Sequence, residues 1–109
     1  MKKAKQARLE RAGWKVGTAR EFLGLSDDEA RFVELKLALS LGLRRARERE
    51  GLTQTQLAKR LASSQSRVAK MEAGDPSVSL DLLVRSLLAL GTTLGELARM
   101  IGAAKRRAA

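Results

Sequence analysis

The sequence has no cysteine, histidine or tyrosine, and its only aromatic residues are two phenylalanines and one tryptophan. Without cysteine there is no disulfide framework, and without histidine or tyrosine the commonest general base and a common nucleophile are missing. No glycine-rich phosphate loop and no metal-ligand cluster is present, so we predict no cofactor and no metal. These absences weigh against an enzyme.

Long apolar runs are also missing. No segment approaches the roughly 20 apolar residues that span a membrane, and no hydrophobic segment follows the basic start of the chain, so we expect no signal peptide. We therefore expect a cytoplasmic protein. Prolines are nearly absent too, with one in 109 residues.

Charge and composition narrow the class further. The chain has 22 basic and 12 acidic residues, a net charge of +10, and 44% apolar residues. The apolar residues are mostly aliphatic, and the abundance of alanine, leucine, arginine and glutamate favours helix. We predict one all-α domain of five to seven helices. The excess of basic residues suits a polyanionic partner, and nucleic acid is the first candidate. The alternative explanation of this charge is a surface that only keeps the protein soluble.

The stretch from Leu52 to Gly74 predicts two short helices with a tight break at Ala62-Ser63-Ser64. Thr53 and Gln56 have the spacing of a capping box at the start of the first helix. Ser64 can cap the second helix, and Gly74 fits a left-handed residue at its end.

The second of these helices has two unlike faces. Val68 and Met71 share a side at about 100° per residue, which predicts that this side is buried. The other side presents amides, hydroxyls and cations, as the major groove of DNA requires. The alternative is two helices of an ordinary bundle.

The pattern T-Q-x-x-L-A-x-R-L, followed by S-Q-S-R-V-A-K-M-E-x-G, resembles the helix-turn-helix of the Xre/Cro-like family of bacterial and phage regulators, over about Gly51 to Ile101. The resemblance implies a compact, lambda-repressor-like helical domain that binds a double-stranded DNA operator as a homodimer on paired half-sites. It also implies a protein of the bacterial cytoplasm that is associated with the nucleoid when it is bound to DNA. One departure is Ala62, where the family often has glycine; a left-handed alanine costs roughly 1 kcal/mol.

We predict that DNA contacts divide by position along this motif. Gln54 is expected to bind a phosphate, while Gln65, Ser66 and Lys70 reach base edges. Arg67 is open between base and phosphate. The complete set of predicted DNA-binding residues, which includes a possible thymine-methyl contact from alanine, is Gln54, Thr55, Ser64, Gln65, Ser66, Arg67, Ala69 and Lys70.

Two rival functions use the same residues. Ser66 and Lys70 could mimic a Ser-Lys catalytic dyad, but a lysine on an exposed helix lacks the burial that lowers its pKa. RNA binding would use the same charge, but it commonly needs stacking aromatics, and Phe22 and Phe32 look internal while Trp14 stands alone. A pure protein-interaction role is a further alternative.

We predict that the whole chain divides into four parts: a basic flexible arm (1–12), an N-terminal extension (13–38), the helix-turn-helix domain (39–102) and a basic tail (103–109). Ser26 and Glu29 predict a capping box at the start of a long helix whose apolar residues, Phe32 to Leu43, surround more than one stripe. That pattern indicates deep burial or a subunit contact.

The chain after the motif predicts two more helices. Ser77 or Ser79 can cap the first of them. Thr92 or Thr93 can cap the last, whose inward residues are expected to be Leu94, Leu97, Met100 and Ile101.

The segment Gly13 to Ser40 is similar to the N-terminal part of small Xre-like proteins grouped with HigA-type antitoxins. This resemblance implies a repressor of its own operon that also neutralises a RelE/HigB-like toxin; a stand-alone or prophage repressor is the alternative. The extension either covers the long helix or docks a basic toxin through its acidic residues, Asp27, Asp28, Glu29 and Glu34.

Overall fold

The computed structural model describes residues 26–108, with side chains for residues 26–103. This part consists of five helices and no strands, which confirms the predicted all-α fold class. The helices are α1 (Asp27–Arg49), α2 (Gln54–Arg60), α3 (Gln65–Ala73), α4 (Leu80–Ala89) and α5 (Leu94–Ala108). The predictions for the basic arm, for Trp14 and for Phe22 lie outside the described residues.

Each helix begins at a hydroxyl side chain that caps it. The Ser26 Oγ accepts from the Glu29 N–H at 3.2 Å, and the Thr53 Oγ1 accepts from the Gln56 N–H at 3.1 Å. Both are capping boxes, because Glu29 and Gln56 bond back to the cap residue. Such caps satisfy N–H groups that have no partner inside the helix.

The two cap positions that the sequence left open are now decided. Ser79 caps α4, since its Oγ accepts from the Leu82 N–H at 3.1 Å. Thr93 caps α5 and forms a capping box with Glu96. Ser77 instead bonds to Asp75 in the preceding turn.

The core is built around α1, which packs against α3, α4 and α5, while α2 packs against α3. As predicted, the fully buried large side chains are aliphatic; they are Leu39, Leu43, Leu57, Val68, Met71, Leu83 and Leu87. Burial of each stabilises the fold by about 1.5–3 kcal/mol. The position of α3 is therefore fixed by its contacts with α1 and α2.

Several apolar residues expected inside are exposed. Leu94 is 77% exposed and Ile101 47%, and Phe32 is 51% exposed, so the prediction that they face inward is wrong. Among the described side chains of α5, which end at residue 103, Leu97 and Met100 pack on the core. On α1 burial is limited in the same way, since Ala30 is the only buried residue before Ala38 and the rest of this N-terminal part is exposed or only partly covered.

Within residues 26–108, no helix combines the length and the apolar character that crossing a membrane requires.

Candidate nucleic-acid interface

The turn between α2 and α3 is left-handed at Ala62, the residue that departs from the family pattern. Ala62 has φ 53°, the only positive φ of a non-glycine residue in the described part of the chain. The turn satisfies its own backbone groups, because the Ala62 N–H donates to the Lys59 carbonyl at 3.2 Å and the Ser63 N–H to the Ala58 carbonyl at 2.8 Å. The strain of roughly 1 kcal/mol at Ala62 is thus offset by a closed hydrogen-bonded turn.

α3 begins and ends as its sequence dictates. The Ser64 Oγ accepts from the Arg67 N–H at 3.1 Å. Gly74 ends the helix with φ 71°, and its N–H bonds back to the last turn. A side chain there would be strained and would also meet Leu37 Cδ2 at 2.9 Å from the added Cβ. These two caps confirm the predictions and give α3 a defined length.

The inner side of α3 is fixed by packing. Val68 and Met71 are fully buried, and the Met71 sulfur accepts a hydrogen bond from the Ser86 hydroxyl at 3.6 Å. Leu57 and Ala58 of α2 are buried in the same core cluster. The outward side of α3 is consequently held in one orientation by residues that play no part in its chemistry.

An ion pair between Arg47 of α1 and Glu72 of α3 lies beneath this surface. Arg47 Nε lies 2.5 Å from Glu72 Oε2, and Nη2 lies 3.0 Å from Oε1, so the contact is bidentate. Arg47 Nη1 also donates to the Leu52 carbonyl at 2.8 Å. The hydrogen bond to Glu72 raises the pKa of Arg47, which outweighs the opposite effect of burial.

Two glutamines connect the ion pair to the start of α3. Gln54 Nε2 donates to Glu72 Oε1 at 3.1 Å, and Gln65 Nε2 donates to Gln54 Oε1 at 2.7 Å. A chain of polar contacts thus runs from α1 to the first residue of α3. It orients the amides of Gln54 and Gln65, because each donates one N–H to a fixed oxygen.

The predicted DNA-binding residues occupy the outer surface of this motif. Six of them are exposed: Thr55, Ser64, Gln65, Ser66, Arg67 and Lys70. Gln54 and Ala69 are half-buried. Gln54 and Gln65 are in direct contact, which the sequence pattern did not predict.

The charge of this surface is positive. Glu72 is the only acid in α3, and its side chain is 4% exposed and turned towards Arg47. Arg67 and Lys70 are exposed on α3, and Lys59 and Arg60 end α2. Hydrogen bonds from Ser77 lower the pKa of Asp75 just beyond α3, and Lys70 lowers it further.

The residues that sequence reasoning missed are Arg47 and Glu72. They lie 25 positions apart, and neither belongs to the exposed surface. The signal that could have found them is that Glu72 is the single acid of an otherwise basic and polar helix.

Ser66 and Lys70, which could mimic a catalytic dyad, share no hydrogen bond. Residues 26–108 contain no group of three or more histidine, cysteine, aspartate or glutamate side chains that could hold a metal ion.

A protein-family model described as Helix-turn-helix matches residues 43–97. The match extends from α1 into α5 and includes the turn at Ala62, the ion pair of Arg47 with Glu72, and all eight predicted contact residues. No curated protein and no solved structure matches the chain. On the family match, which spans just over half of the sequence, this chain belongs to the helix-turn-helix family of DNA-binding transcription regulators.

Proposed function

We propose that the protein is a sequence-specific repressor whose α3 reads the bases of an operator in the major groove. The observation that carries this proposal is the outer face of α3. It presents an amide, hydroxyls and two cations, while the only carboxylate of the helix is buried against Arg47. Such a face matches the donor and acceptor edges of the major groove and the charge of the phosphates around it.

Gln65 is proposed to read adenine. Its Nε2 has two N–H groups, and one of them is taken by Gln54 at 2.7 Å. The remaining N–H and Oε1 form the donor and acceptor pair that adenine N7 and N6 require. Because the bond to Gln54 fixes the plane of the amide, Gln65 does not have to be ordered on binding.

Gln54 is proposed to hold a phosphate at the start of α2. One N–H of its amide donates to Glu72, which leaves the other for a phosphate oxygen. The exposed hydroxyls of Thr55 and Ser64 lie at the starts of α2 and α3, where backbone N–H groups also favour anions.

The remaining residues of α3 complete the proposed contact. Lys70 suits guanine, whose major-groove edge presents two acceptors, and Ser66 suits either base of a pair. Arg67 remains open between a base and a phosphate. Ala69 is half-buried and is proposed to touch a thymine methyl group.

A homodimer is the proposed form on the operator, because one α3 touches too few base pairs to define a site. The exposed apolar residues Leu88, Leu94 and Ile101 support a contact through the C-terminal helices. Leu94 and Ile101 lie two turns apart on the same side of α5, as a helix-helix contact requires. The exposed Phe32 of α1 marks the alternative contact surface.

The biological role that we propose is that of an antitoxin that represses its own operon and binds a basic RelE/HigB-like toxin. The similarity of Gly13 to Ser40 supports it, together with exposed acidic residues at the start of α1, Asp28 and Glu29. Glu29 also belongs to the capping box of α1, so its presence is explained by helix capping and does not require a toxin. A stand-alone or prophage repressor is the alternative, and co-purification with the product of an adjacent gene separates the two.

Selection from a random duplex library tests the proposed DNA reading. Full-length protein should enrich one motif with two related half-sites, and its affinity should fall steeply with salt, since counterions are released from each phosphate contact. Recovery of no motif would contradict sequence reading. Tighter binding to single-stranded RNA than to the selected duplex would favour the rival RNA function.

A further inference from the structure

A cleft of about 360 Å³ lies between α1 and α5, apart from the surface of α2 and α3. Small-molecule sites begin at about this size, roughly 300 Å³. The floor is apolar, with Leu41 and Gly42 from α1 and Met100 and Ala103 from α5. Gly42 permits this close approach, since a Cβ there would collide with the Met100 sulfur.

The rim of the cleft carries three arginines and one glutamate. Arg49 Nη2 lies 3.9 Å from Glu96 Oε2, so these two charges offset each other. The Thr93 N–H and hydroxyl bond to the carboxylate of Glu96 and lower its pKa, which keeps it ionised. The positive charge that remains belongs to Arg45 and Arg99.

Within the described part of the domain, some exposed arginines pair with a carboxylate of their own helix, whereas Arg45 and Arg99 do not. Arg44 pairs with Glu48 and Arg85 pairs with Asp81. Within residues 26–103, neither Arg45 nor Arg99 takes part in an ion pair or a hydrogen bond. Neither guanidinium group has a carboxylate at ion-pair distance in this part of the chain, although the charge of Arg99 also contributes to the lowered pKa of Glu96.

The cleft faces away from the proposed contacts with DNA and with a second copy of the chain. Arg45 and Arg49 are each two positions from Arg47, which contacts α3, and two positions correspond to a rotation of about 200° around α1. On α5, Glu96 and Ala103 are likewise two positions beyond Leu94 and Ile101. Neither DNA on α3 nor a second copy on the Leu94 side would therefore fill the cleft.

We propose that this cleft binds a small organic carboxylate with an apolar body. The guanidinium groups of Arg45 and Arg99 bind the carboxylate, for which the planar fork of arginine is matched. The apolar body lies on Leu41 and Met100. Charge complementarity selects an anion, and the apolar floor selects an organic anion over an inorganic one.

The test titrates 1-naphthoate into ¹⁵N-labelled full-length protein without DNA and follows amide shifts by NMR. The expected shifts are confined to residues 38–49 and 96–103. The neutral analogue 1-naphthalenemethanol should bind at least about tenfold more weakly, and R45Q and R99Q should each lower the naphthoate affinity by about the same factor, since each removes a charge-assisted bond. R85Q, which removes an exposed arginine on α4, should bind as the unchanged protein does.

Three outcomes would overturn the proposal: equal affinity for the alcohol, no effect of R45Q and R99Q, or shifts spread over the whole surface. Absence of naphthoate binding together with weaker non-specific DNA binding by both variants would also overturn it, and would make these arginines phosphate contacts. Blocking the cleft with A103L should abolish binding; if that variant fails to fold, the two arginine variants decide. Because no DNA is present, the result is independent of the proposed operator reading.

Discussion

Arg47 and Glu72 join α1 to α3 through a bidentate ion pair whose side chains are only 12% and 4% exposed. The same carboxylate accepts from Gln54, which in turn accepts from Gln65 at the start of α3. A contact inside the domain is therefore connected to the proposed base-reading amide through two hydrogen bonds. The stability of the domain and the proposed recognition of DNA therefore both depend on the Glu72 carboxylate.

Removing one partner of this pair should be costly. Arg47→Leu leaves the Glu72 carboxylate buried without its cation, so we expect a loss of about 3–5 kcal/mol in the free energy of unfolding by urea. Replacing both, with Arg47→Met and Glu72→Leu, should restore most of that loss. The exposed pair of Arg44 with Glu48 is the control, and Arg44→Ala should cost less than about 1 kcal/mol. If Arg47→Leu and Arg44→Ala lowered the free energy of unfolding by the same amount, burial of the Arg47–Glu72 pair would be unimportant.

Substitutions at the two left-handed positions around α3, Ala62 and Gly74, should change the stability of the protein in opposite directions. Ala62→Gly relieves strain at φ 53°, and we expect an increase of up to about 1 kcal/mol in stability. Gly74→Ala introduces strain at φ 71° and a contact with Leu37, so it should lose more than about 1 kcal/mol.

Gly102→Ala is the matched control for these two variants, because a Cβ at this position in α5 meets nothing within 4 Å. It should leave stability unchanged or raise it slightly through helix propensity. Chemical unfolding at one pH measures all three variants. A loss of stability on Ala62→Gly would contradict the left-handed turn.

Acid should weaken the turn that follows α3. The hydroxyl and the N–H of Ser77 bond to the Asp75 carboxylate and lower its pKa in the folded state. A lowered folded pKa stabilises the protein above the ordinary carboxyl pKa, about 3.9, and this contribution is lost as the pH falls through the folded pKa. Ser77→Ala should therefore reduce the fall in thermal stability below pH about 4. An unchanged pH profile would contradict this link.

The proposed dimer surface can be separated from its alternative by charge. Leu94→Asp places a carboxylate at a site that is 77% exposed, so it should leave the monomer folded while disrupting a contact through α5. We expect weaker binding to a full operator and unchanged binding to a half-site. Phe32→Asp tests the alternative surface on α1. Sedimentation identifies which variant is monomeric, and a dimer that persists in both would exclude both surfaces.

The local features of the fold were predictable because they depend on near neighbours in the chain. The caps at Ser26, Thr53 and Ser64 and the left-handed residue at Gly74 follow from side-chain chemistry within a few positions. The left-handed conformation of Ala62 does not follow in this way, because alanine disfavours it; only the resemblance to the Xre/Cro-like motif indicated it. The ion pair of α1 with α3 was not predictable in this way, since its partners meet only after the helices pack.

The errors have the same origin. An apolar pattern in α5 identifies a hydrophobic side, but it does not say which of its residues a neighbouring helix covers. Leu97 meets the core, whereas Leu94 and Ile101 extend beyond it. The same reason explains Phe32, which lies where α1 is only partly covered.

The most direct test of base reading by α3 compares Gln65→Ala and Lys70→Ala on the selected operator and on random duplex of equal length. Arg85→Ala serves as the control for a lost exposed cation elsewhere. We predict that each α3 variant loses about 1–3 kcal/mol on the operator and clearly less on random duplex, measured by fluorescence anisotropy at one salt concentration. Equal losses on both duplexes, or losses no larger than that of Arg85→Ala, would contradict the proposal that α3 reads sequence.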